Sequence, residues 1–196
     1  MSTTMPTEAE TASSSRSLST AFSLGAVFAT LGSLGYISLN GFPPREAAAH
    51  PLALTAGFVA SVGILVLSLA LMRWRTDLPG WTVVSSAAGL WFAGPLAWGW
   101  STTFAAAAAN TDNALFETLF FESPLVLLGT VPKALLCLVG FLAMAITGWR
   151  RRCVPRLAAV VLGIAAVLSL WPPYPPAVIL ASLAFFLIAR SGVATR

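Results

Sequence analysis

The stretch PLALTAGFVASVGILVLSLALMRWR, residues 51–75, decides the fold of this chain. Its first 22 residues carry no charge, and two arginines, Arg73 and Arg75, follow them closely. An apolar helix of about 20 residues crosses the hydrocarbon core of a bilayer, and basic residues beside it are retained on the cytoplasmic side. The stretch therefore predicts a transmembrane helix whose C-terminal end faces the cytoplasm.

The rest of the chain has a similar composition. Of its 196 residues, 57% are hydrophobic and 9% are charged, and the mean hydropathy is +0.83. Soluble globular proteins contain about 25% charged residues. Because so much apolar surface has to face lipid, we predict one all-α domain over residues 18–190, a polytopic transmembrane helix bundle. About six spans are expected, at residues 18–39, 51–72, 81–100, 124–149, 154–171 and 174–189.

The segments between and around these spans are polar or short. Residues 1–17, rich in Ser and Thr, predict a disordered cytoplasmic tail, and residues 191–196 predict a second cytoplasmic tail. The 22 residues of the first span exceed the roughly 7–15 of a signal-peptide core, so we expect this segment to be retained. Residues 101–123 predict an outer loop with a short interfacial helix, which is capped by Asp or Asn and stopped by Pro124.

Three of the predicted spans admit a second interpretation. Residues 124–149 form either one tilted span or an interfacial turn up to Lys133 followed by a span that starts at Ala134. Residues 154–171 and 174–189 are short, at 18 and 16 residues, and a proline-rich turn joins them. These two segments either cross a locally thinned bilayer or form a re-entrant hairpin.

Charge is distributed unevenly among the gaps between apolar segments. Basic loops remain cytoplasmic, so alternation of basic and acidic gaps predicts cytoplasmic N- and C-termini and an acidic outer face. The sequence pI near 9.8 then follows from loop arginines that contact anionic lipid headgroups, and we predict the bilayer, not nucleic acid, as their partner. Alternate gaps hold Arg73, Arg75, Arg150, Arg151, Arg152 and Arg156, and the others hold Glu46, Asp112, Glu117 and Glu122, with Arg45 as the exception.

Small residues recur at helical spacing along four of the spans. Close backbone approach between such residues is what holds helices together in lipid, where no hydrophobic force acts between them. The stripes predict a tight bundle, and they fit either contacts within this chain or contacts with a membrane-protein partner. They comprise Gly25, Ala29 and Gly32; Ala53, Gly57 and Ser61; Ser85, Gly89 and Ala93; and Ala159 with Gly163.

Lys133 is the sharpest candidate for a functional residue, because it is a cation inside an apolar segment. Such a position costs roughly 2.5–3.5 kcal/mol at a helix centre and is usually functional. One interpretation is a buried ion pair or substrate contact with Glu117 or Glu122 from the outer region. The other places Lys133 one or two turns below the outer surface, with its ammonium group reaching up to the headgroups.

The other polar residues give weaker signals. His50, the only histidine, is a weak metal candidate beside the outer acids, although a lone His supplies no haem or copper ligand set. Asp112, Glu117 and Glu122 either draw cations to a pore mouth or only solvate the outer loop. Cys137 and Cys153 form no CxxC pair. The sequence contains no phosphate-binding loop, GxSxG or HExxH motif, and we predict no cofactor and no catalytic residue.

Three functions compete at this stage. The leading prediction is a non-enzymatic accessory or assembly subunit of a membrane complex, based on the small-residue stripes. The alternative is a small transporter or channel that uses the region of Lys133 and the outer acidic residues. A membrane enzyme built on His50, Lys133 and the outer acids comes third. Ten arginines against one lysine indicate a GC-rich coding bias and hence a multi-pass protein of a prokaryotic plasma membrane.

Overall fold

A computed structural model of the chain describes residues 8–74, 76–122, 124–170 and 175–191, and these residues are almost entirely helical, with no strand among them. The predicted all-α class is confirmed. Residues 1–7 and 192–196 of the predicted tails, and residues 172–174 of the predicted proline-rich turn, lie outside the described residues. The helices are α1 (Glu8–Ile37), α2 (Pro44–Ala49), α3 (Pro51–Arg73), α4 (Gly80–Asn110), α5 (Asn113–Phe121), α6 (Pro124–Arg151), α7 (Arg156–Leu168) and α8 (Pro175–Arg190).

Six of these helices form a closed ring. Each packs on the next in the order α1, α3, α4, α6, α7 and α8, and α8 packs back on α1. Residue pairs run in opposite order along neighbouring helices: Gly25 and Gly32 of α1, for example, lie against Leu67 and Ala60 of α3. The ring is therefore built of alternating up and down helices, as short connections require.

This alternation places the described charges, apart from Lys133, at the two ends of the ring. The arginine-rich end carries Arg16 at the start of the apolar part of α1, and the ends of α3, α6 and α8 with the start of α7. The acidic end carries α2, α5 and the C-terminal part of α4. The arginine-rich end comprises Arg16, Arg73, Arg150, Arg151, Arg152, Arg156 and Arg190, together with Glu8, Glu10 and Asp77. The acidic end comprises Glu46, Asp112, Glu117 and Glu122, together with Arg45.

Three of the helices are long and apolar enough to cross a membrane. They are Arg16–Ile37, Pro51–Arg73 and Leu127–Arg151, with mean hydropathies of 1.4, 2.3 and 1.9, and two shorter helices, Arg156–Leu168 and Pro175–Arg190, are also apolar. Large apolar side chains point outward from these helices, for example Leu135, Val139 and Ile146 along one face of α6. A long apolar face outside an equally apolar interior is the pattern of a membrane protein.

The small-residue stripes lie between helices of this chain. A Cβ atom added at Gly63 of α3 would clash with the backbone of Ala29 in α1, and one at Gly57 would clash with the Ser101 side chain of α4. On α4, a Cβ at Gly89 would lie 2.6 Å from the Cys137 sulfur of α6. Gly57, Gly63 and Gly89 of the stripes therefore pack against neighbouring helices of the same chain.

Two helices extend beyond the spans predicted for them. Helix α4 continues through Pro95 to Asn110, whereas a loop was expected from residue 101. The reason is the run of alanines Ala105–Ala109, because alanine has the highest helix propensity of all residue types. Helix α1 begins at Glu8, within the segment predicted as a tail, and acidic residues in a first turn favour a helix start.

Candidate functional site

The helix ring encloses a cavity of about 420 Å³. Its lining runs from α2 and the preceding turn at the acidic end to Ile64, Leu90 and Phe141 deeper in the bundle. Beyond that level the interior is filled by a core that includes Phe22, Phe185 and Met144, each fully buried. The cavity is therefore a blind pocket associated with the acidic end. Its volume falls in the range of about 300–1,000 Å³ that is usual for small-molecule sites.

Lys133 is the only charged residue among the described residues that line this cavity. Its side chain is 8% exposed, so it faces the interior and not the lipid. On the same face of α6, Thr130 and Cys137 also line the cavity, three residues before and four residues after it. This spacing places the three side chains along one stripe of the helix. The pocket thus combines apolar walls with a single polar stripe.

The packing of α6 places Lys133 near the middle of the bundle. Gly89 of α4 faces Cys137 of α6, and Leu96 of α4 faces Gly129 of α6. Lys133 is midway between Gly129 and Cys137, so it lies level with the part of α4 midway between Gly89 and Leu96, next to Gly94. Gly94 in turn faces Leu65 of α3. Leu65 is three residues, about 4.5 Å of helical rise, from the centre of the candidate span Pro51–Arg73.

A polar junction lies nearer the acidic end of the same cavity. The Tyr36 hydroxyl of α1 contacts the Ser101 hydroxyl of α4 and donates to the Ala97 carbonyl at 3.3 Å. Gly57 of α3 lies directly beside this pair and leaves room for it. Tyr36 and Ala97 also line the cavity, so the junction connects three helices at the cavity wall. The Tyr36 hydroxyl thus adds a polar group to the cavity wall near the acidic end.

Helix α2 covers the cavity at the acidic end. Pro44, Ala47 and Ala48 of this helix line the cavity, and the Arg45 Nε donates to the Ala108 carbonyl of α4 at 2.9 Å. The basic residue that departs from the charge pattern of the sequence thus fastens α2 to α4. His50, which ends α2, accepts a hydrogen bond from the Leu52 amide at its Nδ1, at 3.1 Å, and so caps α3.

The structure does not bring the outer acids to Lys133. Asp112 caps α5 by accepting from the Leu115 amide at 2.8 Å, and its side chain is exposed, as are those of Glu117 and Glu122. None of these three residues lines the cavity. Among the described residues, no group of three His, Cys, Asp or Glu side chains is placed to hold a metal ion.

The two cysteines occupy different settings. Cys137 is buried on the cavity wall beside Lys133, whereas Cys153 is partly exposed in the turn between α6 and α7. Partial burial raises the pKa of the Cys153 thiol above its usual value, and the nearby Asp77 carboxylate raises it further, while Thr76 and Arg151 act in the opposite direction. A thiol with a raised pKa is a weaker nucleophile near neutral pH.

The sequence pattern indicates Lys133 but not the residues around it. Ser33, Tyr36 and Thr130 line the cavity from α1 and α6. The stripe of Thr130, Lys133 and Cys137 was detectable as helical spacing of polar positions within an apolar run. The contributions of α1 were not detectable, because they depend on which helices are neighbours in the ring.

No protein-family model, no curated protein and no solved structure matches this chain.

Proposed function

We propose that this chain is a six-span membrane protein that binds a small amphipathic anion in its central cavity and acts as a transporter for it. The observation that carries the proposal is the buried Lys133 ammonium group on the wall of a cavity of about 420 Å³. Burying a cation within a span is costly, up to roughly 2.5–3.5 kcal/mol at a helix centre, and proteins retain such residues where they contact an ion or substrate.

The chemistry of the lining supports an anion with an apolar body. A positive charge inside a pore or pocket opposes cations and favours anions. Most of the remaining lining is aliphatic or aromatic, such as Ile64, Leu90 and Phe141, and it suits a hydrocarbon chain. Thr130 lines the cavity one helical turn before Lys133 on the same face of α6, and its hydroxyl is a hydrogen-bonding group for the same anion.

The ring supports six spans. Helix α4 packs between the candidate spans α3 and α6, so all three share one layer, and α7 and α8 complete the ring between α6 and α1. With arginines gathered at one end, the positive-inside rule orients that end, and with it both termini, toward the cytoplasm. We infer a prokaryotic plasma membrane from the excess of ten arginines over one lysine, which is typical of a GC-rich coding bias.

The predicted role as an accessory subunit is a second candidate. It was based on small-residue stripes, and those stripes pack inside the chain, at Gly57, Gly63 and Gly89 for example. The cavity therefore supports the role of a transporter more strongly than the stripes support the role of an accessory subunit. Co-purification of a stable partner in mild detergent would restore the accessory role.

A matched pair of probes tests the proposed binding. Octanesulfonate and octanol have the same apolar chain, but only the first is an anion. Titration calorimetry on the protein in lipid nanodiscs should show octanesulfonate bound at least tenfold more tightly than octanol, since a hydrogen bond to a charged group contributes about 1.5–3 kcal/mol. Lys133→Met should abolish this preference, whereas the exposed Glu117→Gln should leave it unchanged. No saturable binding, or a preference that survives Lys133→Met, would contradict the proposal.

Uptake of labelled octanesulfonate into proteoliposomes then tests transport separately. Flux that depends on Lys133 supports a transporter. Binding without flux would remove the transporter and leave a membrane-embedded binding protein.

A further inference from the structure

A second feature of the molecule lies at the arginine-rich end, where α6 ends and α7 begins. The seven residues from Arg150 to Arg156 include four arginines and no acidic residue. Three of them, Arg150, Arg152 and Arg156, line a groove of about 570 Å³ together with Trp149, Val154 and Pro155. The groove thus has three cationic side chains and an apolar wall.

The groove lies at one end of a candidate membrane span. It follows directly on Trp149, near the end of the candidate span Leu127–Arg151. Trp149 is 48% exposed, and the Arg156 guanidinium lies 5.8 Å from the centre of its ring. Exposed tryptophans beside basic residues mark the boundary between hydrocarbon and headgroups. An anion held by the three arginines would therefore lie where lipid phosphates lie.

The backbone gives an independent indication. Helix α6 ends in a Schellman motif, in which the amide of Cys153 donates to the Gly148 carbonyl and that of Arg152 donates to the Trp149 carbonyl. The left-handed residue of this motif is usually glycine. Here it is Arg152, with φ 57°, the only described residue other than glycine with a positive φ. A strained arginine where glycine fits better is expected when its side chain has a function.

We propose that this groove binds the phosphate of an anionic phospholipid. The guanidinium groups offer the bidentate hydrogen bonds that phosphate oxygens accept. Trp149 and Pro155 contact the apolar part of the lipid next to the phosphate. This site is at the opposite end of the bundle from α2, which covers the cavity, and it does not depend on the function proposed for the cavity.

Native mass spectrometry of the full chain in detergent tests the proposal. The probes are dioleoyl phosphatidic acid and dioleoyl phosphatidylcholine, which share their acyl chains. The wild-type protein should prefer phosphatidic acid. Arg152→Gly and Arg156→Gln should each reduce that preference about fivefold, the usual effect of one basic residue near an anionic surface. Arg73→Gln removes the same charge from the same end outside the groove, and it should have little effect.

The Arg152→Gly variant also separates binding from folding. Because glycine accepts a positive φ without strain, this variant should unfold at a higher temperature than the wild type while binding phosphatidic acid more weakly. Equal lipid preference in all variants, or an equal loss in Arg73→Gln, would overturn the proposal. Inorganic phosphate at millimolar concentration should not displace the lipid. If it binds the groove and displaces the lipid, the site belongs to free phosphate and the lipid assignment is wrong.

Discussion

The contact between α1 and α3 provides a sharp prediction about the bundle. Substitution Gly63→Ala adds a single methyl group where the backbones of the two helices meet. That Cβ would clash with the Ala29 amide nitrogen and would lie 2.7 Å from the Gly25 carbonyl oxygen. Every one of these neighbours is backbone, so the clash is relieved only by moving one helix.

The magnitude follows from two opposing effects. Overpacking of this kind typically costs about 1–3 kcal/mol. Alanine regains up to about 1 kcal/mol over glycine in a helix. We therefore expect Gly63→Ala to lower the free energy of unfolding by roughly 1–2 kcal/mol after the two effects are summed. Gly99→Ala in α4 is the matched control, because its Cβ would meet nothing within 4 Å, and it should be neutral or stabilising.

Equilibrium unfolding in mixed micelles of SDS and dodecyl maltoside, followed by far-UV circular dichroism, measures both variants against the wild type. The two substitutions are chemically identical, so the detergent affects them alike. If Gly63→Ala proves as stable as Gly99→Ala, the two helices do not approach as closely as described.

Three further predictions concern single side chains. Asp112→Ala removes the N-terminal cap of α5 and should destabilise this helix by about 1 kcal/mol. The first amides of α5 should then exchange hydrogen faster, and unchanged exchange would contradict this prediction. Among the described residues, the buried Ser182 hydroxyl has no hydrogen-bond partner, so Ser182→Ala should raise the free energy of unfolding by about 1 kcal/mol. Ser86→Ala should not raise it, because the Ser86 hydroxyl donates to a helix carbonyl. A loss of stability in Ser182→Ala would show that the Ser182 hydroxyl is hydrogen-bonded. Burial raises the pKa of the Cys153 thiol, and the Asp77 carboxylate raises this pKa further, so alkylation of Cys153 should be slow near neutral pH and faster in alkaline solution. Asp77→Asn should shift the pH profile of alkylation toward lower pH. An unchanged profile would exclude the effect of Asp77.

Local sequence features predict the individual helices well. The uncharged run that starts at Pro51 and ends at Arg73 corresponds to α3 because length and hydropathy alone determine such a helix. The cap at Asp112 is equally local, since its carboxylate bonds an amide three residues later. The C-terminal extension of α4 was missed because polar residues near Asn110 were given more weight than the helix propensity of the alanines before them.

The candidate site depends on contacts that no local pattern contains. Whether Lys133 lies at headgroup level or deep in the bundle depends on the register between α6 and α4, which is set by contacts such as Gly89 with Cys137. The cavity itself exists only because α8 returns to α1 and closes the ring. Sequence reasoning therefore identified the unusual cation but left both its depth and its surroundings open.

The depth of the Lys133 side chain can be measured directly, because Lys133 is the only lysine in the chain. The intact protein in lipid nanodiscs is treated with a membrane-impermeant sulfosuccinimidyl ester, and acylation at this residue is followed by peptide mass spectrometry. A Glu117→Lys variant provides an exposed lysine at the acidic end as the control. We predict rapid acylation of the control lysine and none of Lys133 until SDS unfolds the protein. Acylation of Lys133 in the folded protein at a rate close to that of the control would place its ammonium group at the headgroups and contradict the buried site.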